Sequence, residues 1–436
     1  FRRSMTRMKS IFLLLKDPVR QVQLFMLCRH TGVILSSVVI ARSLPIEEVG
    51  VFEMLMLCGY LMTFFWSDAL LKGFLADAKV KSDKIAGSAF IWLYLFAGFA
   101  SMAILVIGQK VLLPLFVDRT SLQGIHLFIL YQALIIPVWI APFLGLLKGQ
   151  NAILLSIYVL IGPAISCYAG FRSLPELSGV LIGLLSYGLV GFAWVLTNTT
   201  FVRKLQLGKM LVALWPVTWP LMMYSVSVGI ARSFDVWLVA RHFDESSFAI
   251  FRYGAREFPL VVAFAAGLST VMIPKLFSSD ALDELRSRST RLMHICYPVV
   301  AFVMLFSPPL FEYFFGVAYK ESALIFNIYL LLTLTQLVFP QSIMTARGET
   351  RWLWYISLAE LAVNVVASVL LLSYFGLAGI AMGTLIAFVF EKAVLIIFVR
   401  RRFAISLDAI IHPLSWFAYA AMLIAAFMTS KWIFGI

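Results

Sequence analysis

The chain has 436 residues, 62% of them hydrophobic and only 13% charged, with a mean hydropathy of +0.95 and a formal net charge of +13. Soluble domains are nearer half apolar and a quarter charged, so this composition excludes an ordinary soluble protein. Apolar runs of about 20 residues, long enough to cross a ~30 Å hydrocarbon core as helices, recur throughout, and the ~10-residue alternation of a membrane barrel is absent. The sequence therefore predicts an all-α polytopic membrane protein.

The first segment, residues 1–19, is basic, and its apolar run is too short to span a bilayer. We interpret it as a cytoplasmic segment and not as a cleavable signal peptide. Thirteen membrane spans follow, at roughly 20–42, 48–71, 85–107, 123–147, 151–170, 178–199, 211–240, 247–274, 291–311, 322–346, 351–373, 377–399 and 411–434. The loops between them are short and leave no room for a soluble domain.

The basic residues predict the orientation. Most of the 35 Lys and Arg residues fall in segments that are cytoplasmic if the N-terminus is inside. This bias satisfies the positive-inside rule, and it explains the positive net charge without a nucleic-acid partner.

An internal duplication organises the chain. The stretch VVIARSLPIEEVGVF at 38–52 is repeated as LVARHFDESSFAIF at 238–251. A shift of 199 or 200 positions aligns further pairs, namely Ala41 with Ala240, Arg42 with Arg241, Phe52 with Phe251, Gly149 with Gly348, Gly179 with Gly379 and Gly183 with Gly383. Spans one to six therefore correspond to spans seven to twelve, and span thirteen lies outside the repeat.

The repeat predicts an N-lobe at 20–199, a cytoplasmic linker at 200–210, a C-lobe at 211–399 and an extra C-terminal span within 400–436. Because each lobe has an even number of spans, both insert the same way up. A pseudo-twofold axis along the membrane normal should relate them, as in parallel-repeat transporters. Two such six-helix lobes would enclose a cavity and give alternating access by rocking; the alternative is a duplicated scaffold without a cavity.

Four arginines inside the spans are candidate ligands for an anion. An ionisable side chain near the bilayer centre costs roughly 2.5–3.5 kcal/mol, so it is expected to face a cavity or a partner. Arg252 and Arg256 are four residues apart, which would place both on one face of a single helix. Their mutual repulsion calls for an anion, and a guanidinium binds phosphate bidentately. With Arg29 and Arg232, they are predicted to bind a diphosphate; the alternative is internal pairing, as of Arg232 with Asp235.

A second group of residues is predicted to act in gating or coupling. Glu53 and Arg252 both follow the duplicated Phe, so they occupy equivalent positions in the two lobes. We predict that they approach each other near the outer face and close a gate as an ion pair. Asp235 and His30 complete this group.

Other polar residues in the spans have simpler interpretations. Asn364, near Glu360, is interpreted as an interhelical hydrogen-bond partner. Asp68 and Lys72 are interpreted as a local pair. The four cysteines lie in apolar runs without paired spacing and are interpreted as packing residues.

The sequence lacks the motifs of ATP hydrolysis, covalent catalysis and metal binding. The sequence contains no Walker motif, no nucleophile with a base and no cluster of histidines with metal-ligand spacing. Neither ATP hydrolysis nor covalent chemistry is predicted, and no metal or cofactor. Uphill transport would have to use the membrane potential or a coupling ion such as H+ or Na+.

The segment ARSLPIEEVGVF resembles the opening motif of polysaccharide-biosynthesis flippases of the multidrug/oligosaccharidyl-lipid/polysaccharide exporter superfamily. The later stretches FDVWLVARHFDESSFAIFRYGAREF, STVMIPKLF, LFEYFFGVAYKESALIF, ARGETRWLWYISLAELAVNVV and FGLAGIAMGTLIAFV are similar to that family in the same order, over about residues 20–400.

The resemblance implies a Wzx-type flippase, which moves undecaprenyl-diphosphate-linked oligosaccharides across a bacterial inner membrane. Related lipid II flippases hold the diphosphate with basic residues of the first, second and eighth helices. Arg29 matches the first position, and Arg252 or Arg256 the eighth. Glu53 stands where the second helix should carry a basic residue, which favours a glycolipid other than lipid II.

The sequence thus predicts a flippase that works by alternating access in the bilayer, and not an enzyme. One alternative is a cation-coupled multidrug exporter of the same superfamily, which would rely on cavity carboxylates and aromatics. Another is a membrane-embedded glycosyltransferase or polymerase acting on the same lipid, although such enzymes need larger outer loops or catalytic acidic motifs.

Overall fold

A computed structural model of the chain describes residues 18–76, 84–117, 121–147, 152–197, 204–273, 275–276 and 280–435. The predicted segment 1–19 therefore lies almost wholly outside the described residues. So do the side chains of Asp68, Lys72 and Arg232, although their backbones belong to described helices. Every regular element in the described part is helical, which confirms the predicted all-α fold class.

The helices follow one another in a simple series. In chain order they are α1 (Pro18–Ser43), α2 (Ile46–Ala76), α3 (Lys84–Val117), α4 (Ile125–Leu147), α5 (Ala152–Ser173), α6 (Leu177–Thr197), α7 (Lys204–His242), α8 (Glu245–Gly254), α9 (Pro259–Met272), α10 (Asp280–Phe315), a 3-10 turn (Val317–Tyr319), α11 (Ser322–Leu331), α12 (Thr333–Gln336), α13 (Pro340–Ala346), α14 (Thr350–Phe403), α15 (Leu407–Ile410) and α16 (Pro413–Phe434).

Eight of the described helical stretches are long and apolar enough to cross a membrane. A continuous α-helix satisfies its own backbone hydrogen bonds, which is the condition for spanning hydrocarbon. One of the eight, Arg351–Phe403, is 53 residues long and has a kink at Gly376. At 1.5 Å per residue it can cross the bilayer twice. The predicted total of thirteen spans stays a prediction.

Backbone contacts divide the chain into two compact units. The first comprises Phe1–Ser233 with Ala240–Ser246, and the second comprises Phe234–Val239 with Ser247–Ile436. Most of α7 thus belongs to the first unit, whereas its segment Phe234–Val239 packs within the second. The lobe and linker boundaries derived from the duplication stay predictions.

The first unit is built around helix pairs in close contact. Helix α1 packs along α5, and both α4 and α5 pack on α6. Phe25, Leu155 and Val159 form a buried cluster between α1 and α5. The α5–α6 pair depends on glycine, because a Cβ on Gly183 would lie only 2.0 Å from the carbonyl oxygen of Ser166.

The second unit has a single large apolar core. Helix α10 packs against α16, and α11 and α13 pack against α14. Tyr297, Leu330, Leu395 and Leu423 are almost fully buried in this core. Gly376 has φ 56° and ψ −133°, a backbone conformation that residues other than glycine rarely adopt. It divides α14 into two arms. This kink falls in the gap predicted between spans eleven and twelve.

Two predicted spans of the second unit are not continuous helices. Predicted span eight consists of α8 and α9, separated by the non-helical residues 255–258. Predicted span ten consists of α11, α12 and α13. Within a membrane such breaks occur only where the exposed backbone is buried in protein or lines a water-filled cavity.

The structure also bears on the predicted role of the cysteines. Cys28, Cys58, Cys167 and Cys296 are all free, and all but Cys28 are buried. This confirms their interpretation as packing residues. The described residues include no group of three His, Cys, Asp or Glu side chains placed to hold a metal ion.

Candidate functional site

Asp235 is a buried carboxylate near the C-terminal end of α7. Its side chain is 6% exposed and belongs to the second unit. The ion pairs of Lys275 and Arg288 with Glu284, and of Arg402 with Glu349, lie elsewhere in the described part of the chain. Burying a charged carboxylate is costly, so the neighbouring dipoles have to stabilise it.

Neutral side chains of α14 surround this carboxylate. The Thr384 hydroxyl donates a hydrogen bond to Asp235 Oδ2, and Ser368 Oγ lies 3.4 Å from Asp235 Oδ1. Asn364 Nδ2 lies 3.5 Å from Thr384 Oγ1, which confirms the prediction of an interhelical hydrogen bond at Asn364. Tyr329 of α11 lies within interaction range of both Asp235 and Thr384.

The hydroxyls of Ser368 and Thr384 face more acceptors than they have protons to donate. Ser368 Oγ lies 3.3–3.4 Å from three acceptors, namely Asp235 Oδ1, Asn364 Oδ1 and the Ile380 carbonyl, yet it has one proton to donate. Thr384 Oγ1 likewise faces both Asp235 Oδ2 and the Ile380 carbonyl at 3.4 Å. An excess of converging oxygens around a carboxylate is what a proton or a hard cation requires.

Glycine in the second arm of α14 makes this arrangement possible. A Cβ on Gly383 would lie 2.3 Å from Ser368 Oγ and 2.6 Å from the Ser368 backbone nitrogen. One helical turn earlier, a Cβ on Gly379 would lie 2.1 Å from the Leu371 carbonyl oxygen. The two arms are therefore in backbone contact, which places Ser368 beside Thr384.

The predicted arginine pair in the second unit lies at a helix break. Arg252 is in the last turn of α8, which ends at Gly254, and Arg256 is in the non-helical segment that follows. The prediction that both project from one face of one helix is therefore wrong. The backbone N–H of Arg256 donates to the Gly254 carbonyl at 2.7 Å, a turn that replaces the helical bond.

The surroundings of this break are aromatic and polar. The Arg256 guanidinium lies 4.9 Å from the centroid of the Tyr253 ring, within the range of a cation–π contact. Glu257 Oε2 accepts a hydrogen bond of 3.0 Å from Gln336 Nε2 of α12. Helix α9 begins immediately afterwards at Pro259, and no side chain caps its N-terminus. The broken helix thus combines arginines with uncapped backbone N–H groups, a combination suited to an anionic ligand.

The remaining predicted residues belong to the first unit or lie outside the described side chains. Arg29 is half-buried and His30 exposed on α1, and Glu53 is buried on α2. The side chain of Arg232 is not among those described, so its predicted pairing with Asp235 is not tested. In the second unit, Arg252 and Arg256 lie close together along the chain, at the end of α8 and just after it. Asp235 instead lies against the side chains of α14.

Sequence reasoning missed Ser368 and Thr384. In the sequence, these two residues cannot be distinguished from the small residues that pack any membrane helix. The available signal was the alignment of Gly383 with Gly183, which marks a point of close helix contact beside both residues.

Comparison with known proteins places this architecture in a family. The model of the family described as lipid II flippase MurJ matches residues 151–436. The chain belongs to the MurJ family. It is therefore a multi-pass inner-membrane transporter of the multidrug/oligosaccharidyl-lipid/polysaccharide exporter superfamily, and not an enzyme. The Wzx-type branch is not confirmed. No curated protein sequence matches the chain.

Solved structures share the fold of this MurJ-family chain. The lipid II flippase MurJ in an inward closed conformation has a TM-score of 0.60 at 16% identity, covering 96% of this chain and 98% of its own. An inward-facing multidrug resistance MATE family transporter of the same superfamily also has a TM-score of 0.60, at 15% identity over 89% and 98%. The Vibrio cholerae MATE transporter VcmN in the bent form has 0.51, at 15% identity over 97% and 99%. At these identities the likeness shows the fold alone.

Proposed function

We propose that this protein flips a polyprenyl-diphosphate-linked saccharide from the cytoplasmic to the outer leaflet by alternating access, coupled to a monovalent cation at Asp235. Family membership supports the transport of a lipid-linked precursor. The observation that carries the coupling is the acceptor-rich network around Asp235, which Thr384 and Ser368 complete.

In this proposal the arginines bind the diphosphate. Arg252 precedes the break after Gly254 and Arg256 lies within it, close to the uncapped start of α9. Charge-assisted hydrogen bonds from guanidinium groups to phosphate are about twice as strong as neutral ones. Arg29 and Arg232 remain proposed contributors of positive charge.

The cation acts on Asp235 by changing the charge of the network. An ion can shift a conformational equilibrium only by its differential affinity for the two states. A proton or Na+ at Asp235 would neutralise the carboxylate and hold α7 to both arms of α14. Release of the cation leaves a buried charge with only neutral hydrogen-bond donors around it, which favours a different packing of these helices.

The substrate has two candidates within one chemical class. The family is named for lipid II, so lipid II is the first lipid to test. Glu53, where a basic residue was expected from the family resemblance, favours a different polyprenyl-diphosphate glycan. His30 and Glu53 remain proposed gating residues, Glu53 with Arg252 as its partner.

The substrate assignment can be tested by reconstituting the protein in vesicles and following fluorescent lipid II and a fluorescent polyprenyl-diphosphate oligosaccharide between leaflets. Replacing Arg252 and Arg256 by alanine should reduce transport at least about tenfold, because each charged hydrogen bond contributes ~1.5–3 kcal/mol. Arg351→Ala is the matched control, since Arg351 lies over the exposed Tyr355 ring at 5.7 Å. Unchanged transport by the double variant would remove the diphosphate assignment.

The coupling assignment has its own test. Asp235→Asn keeps the shape of the side chain but removes the charge that binds a cation. We expect transport by this variant to stop responding to both an imposed Na+ gradient and an imposed pH gradient. The wild-type protein should respond to one of the two, which identifies the cation. A variant that responds like the wild type would exclude Asp235 as the coupling residue.

A further inference from the structure

The two arms of α14 carry a pair of carboxyl groups beyond the Asp235 network. Ser368 and Gly383 are in contact across the arms, and they fix the register of the hairpin. Eight residues further from the kink along each arm, this register brings Glu360 opposite Glu391. Both side chains are half-buried in the membrane-spanning part of the helix.

These two carboxyl groups connect the Asp235 network to a second polar group. Glu360 makes no hydrogen bond or ion pair with another described side chain, but it interacts electrostatically with both Asp235 and Glu391. Glu391 Oε2 lies 3.4 Å from Gln341 Nε2, and Gln341 Oε1 accepts a hydrogen bond of 2.6 Å from the buried Lys392. Glu360 therefore stands between Asp235 on one side and the group of Glu391, Gln341 and Lys392 on the other.

The duplicated hairpin in the first unit shows that packing does not require these charges. There, Ser166 and Gly183 are in contact as Ser368 and Gly383 are. Eight residues further along each helix, Tyr158 lies opposite Gly191, and a Cβ on Gly191 would be 2.8 Å from the Tyr158 hydroxyl. The same hairpin thus closes with an aromatic ring and a glycine where the second unit has two glutamates. Each glutamate costs energy in the bilayer, so a role other than packing has to maintain it.

We propose that Glu360 and Glu391 form the path by which the coupling cation moves between Asp235 and the cytoplasmic end of α14. The proposal rests on the function proposed above and on the topology predicted from the basic residues. Glu360 is one helical turn, about 6 Å, from Asn364, so the path continues from the network without a gap in polar groups. It leads towards the end of α14 where Glu349 pairs with Arg402 at 3.0 Å.

Lys392 determines the direction in which the path works. The charged groups that interact with the pair are Asp235 of α7, which acts on Glu360, and Lys392 on the second arm, which acts on Glu391. The Lys392 ammonium also donates to the Val338 carbonyl at 3.4 Å, so it is held in place. A fixed positive charge beside Glu391 weakens the binding of a cation there. Glu391 therefore passes the cation on and does not store it.

The test separates the rate of cation movement from its binding. Glu360→Gln and Glu391→Gln, singly and together, should lower gradient-driven flipping by about tenfold, which corresponds to a barrier raised by ~1.4 kcal/mol. They should leave unchanged the rise in melting temperature that NaCl or a lower pH produces, because Asp235 still binds the cation. Glu321→Gln is the control, since it removes an exposed carboxylate at the start of α11. Glu360→Asp should restore much of the rate, which distinguishes a lost charge from a damaged fold.

Each alternative gives a different result. Flipping rates equal to the Glu321→Gln control would overturn the path. Loss of the cation-dependent melting shift in Glu360→Gln would also overturn it, because the glutamate would then be part of the binding site. Failure of the proposed function has a separate signature, namely an Asp235→Asn variant that keeps the wild-type melting shift and gradient response.

Discussion

Replacing Gly383 by alanine tests whether close approach of the two arms of α14 builds the Asp235 network. The added Cβ would lie 2.6 Å from the Ser368 backbone nitrogen, whereas ordinary contact begins at 3.4 Å. The arms would have to separate by about 0.8 Å, the difference between these distances, because a backbone atom cannot rotate away and a packed interior has little free space. Overpacking of this kind costs ~1–3 kcal/mol, and the movement would draw Thr384 away from Asp235.

Thermal unfolding of the purified protein, with and without the coupling cation, measures both effects. Gly383→Ala should lower the melting temperature and reduce the stabilisation by cation. Gly267→Ala in α9 is the control, because no atom lies within 4 Å of the added Cβ. Alanine's higher helix propensity should make the control neutral or more stable by up to ~1 kcal/mol. If Gly383→Ala matched this control in stability and in cation response, the close-contact argument would be refuted.

Two further predictions concern the gate and the kink. Reversing the charge at Glu53 or at Arg252 should each abolish flipping, and the double exchange Glu53→Arg with Arg252→Glu should recover part of it in the vesicle assay. Recovery no better than either single variant would count against the pairing. Gly376→Ala should destabilise the protein by ~1–3 kcal/mol in thermal unfolding, because Gly376 has φ 56° and ψ −133°. No loss of stability would show that α14 does not need this conformation.

A contact within the first unit motivates the gate prediction. Glu47 and Ser246 are equivalent residues of the two copies, and their side chains are hydrogen-bonded at 3.3 Å. Equivalent residues of the two copies therefore meet at this point within the first unit. Glu53 and Arg252 each lie six residues further along α2 and α8, respectively.

The sequence predicted the features that depend on apolar length and on repetition. Helices long enough to span a bilayer are visible as apolar runs, and the alignment of Gly183 with Gly383 revealed the duplication. The structure adds that both glycines lie where the two helices of a hairpin are in contact. The break after Gly254 was not predicted, because the following residues, Ala255 to Phe258, contain no helix breaker. Pro259 begins a new helix there, and a proline in an apolar span is usually compatible with a kinked but continuous helix.

The Asp235 site was only partly predictable, for a physical reason. A carboxylate inside an apolar run is conspicuous because of its cost, so Asp235 could be identified from the sequence. Serine and threonine have no comparable cost, since their hydroxyls can bond to the carbonyl four residues earlier in their own helix. Only the three-dimensional register of the α14 arms shows that Ser368 and Thr384 also face the carboxylate.

The two copies of the repeat differ at the residues that form the Asp235 network. The position equivalent to Asp235 is Ser36, whose hydroxyl donates to the Gly32 carbonyl of its own helix at 2.7 Å. The position equivalent to Thr384 is the buried Leu184. The first copy therefore has the hairpin, but these two positions supply no carboxylate and no threonine hydroxyl. We expect it to bind no cation at the equivalent place. A ligand biases only the element with which it interacts differently in two states. The proposed coupling cation would therefore act through the second unit, at the contact of α7 with α14.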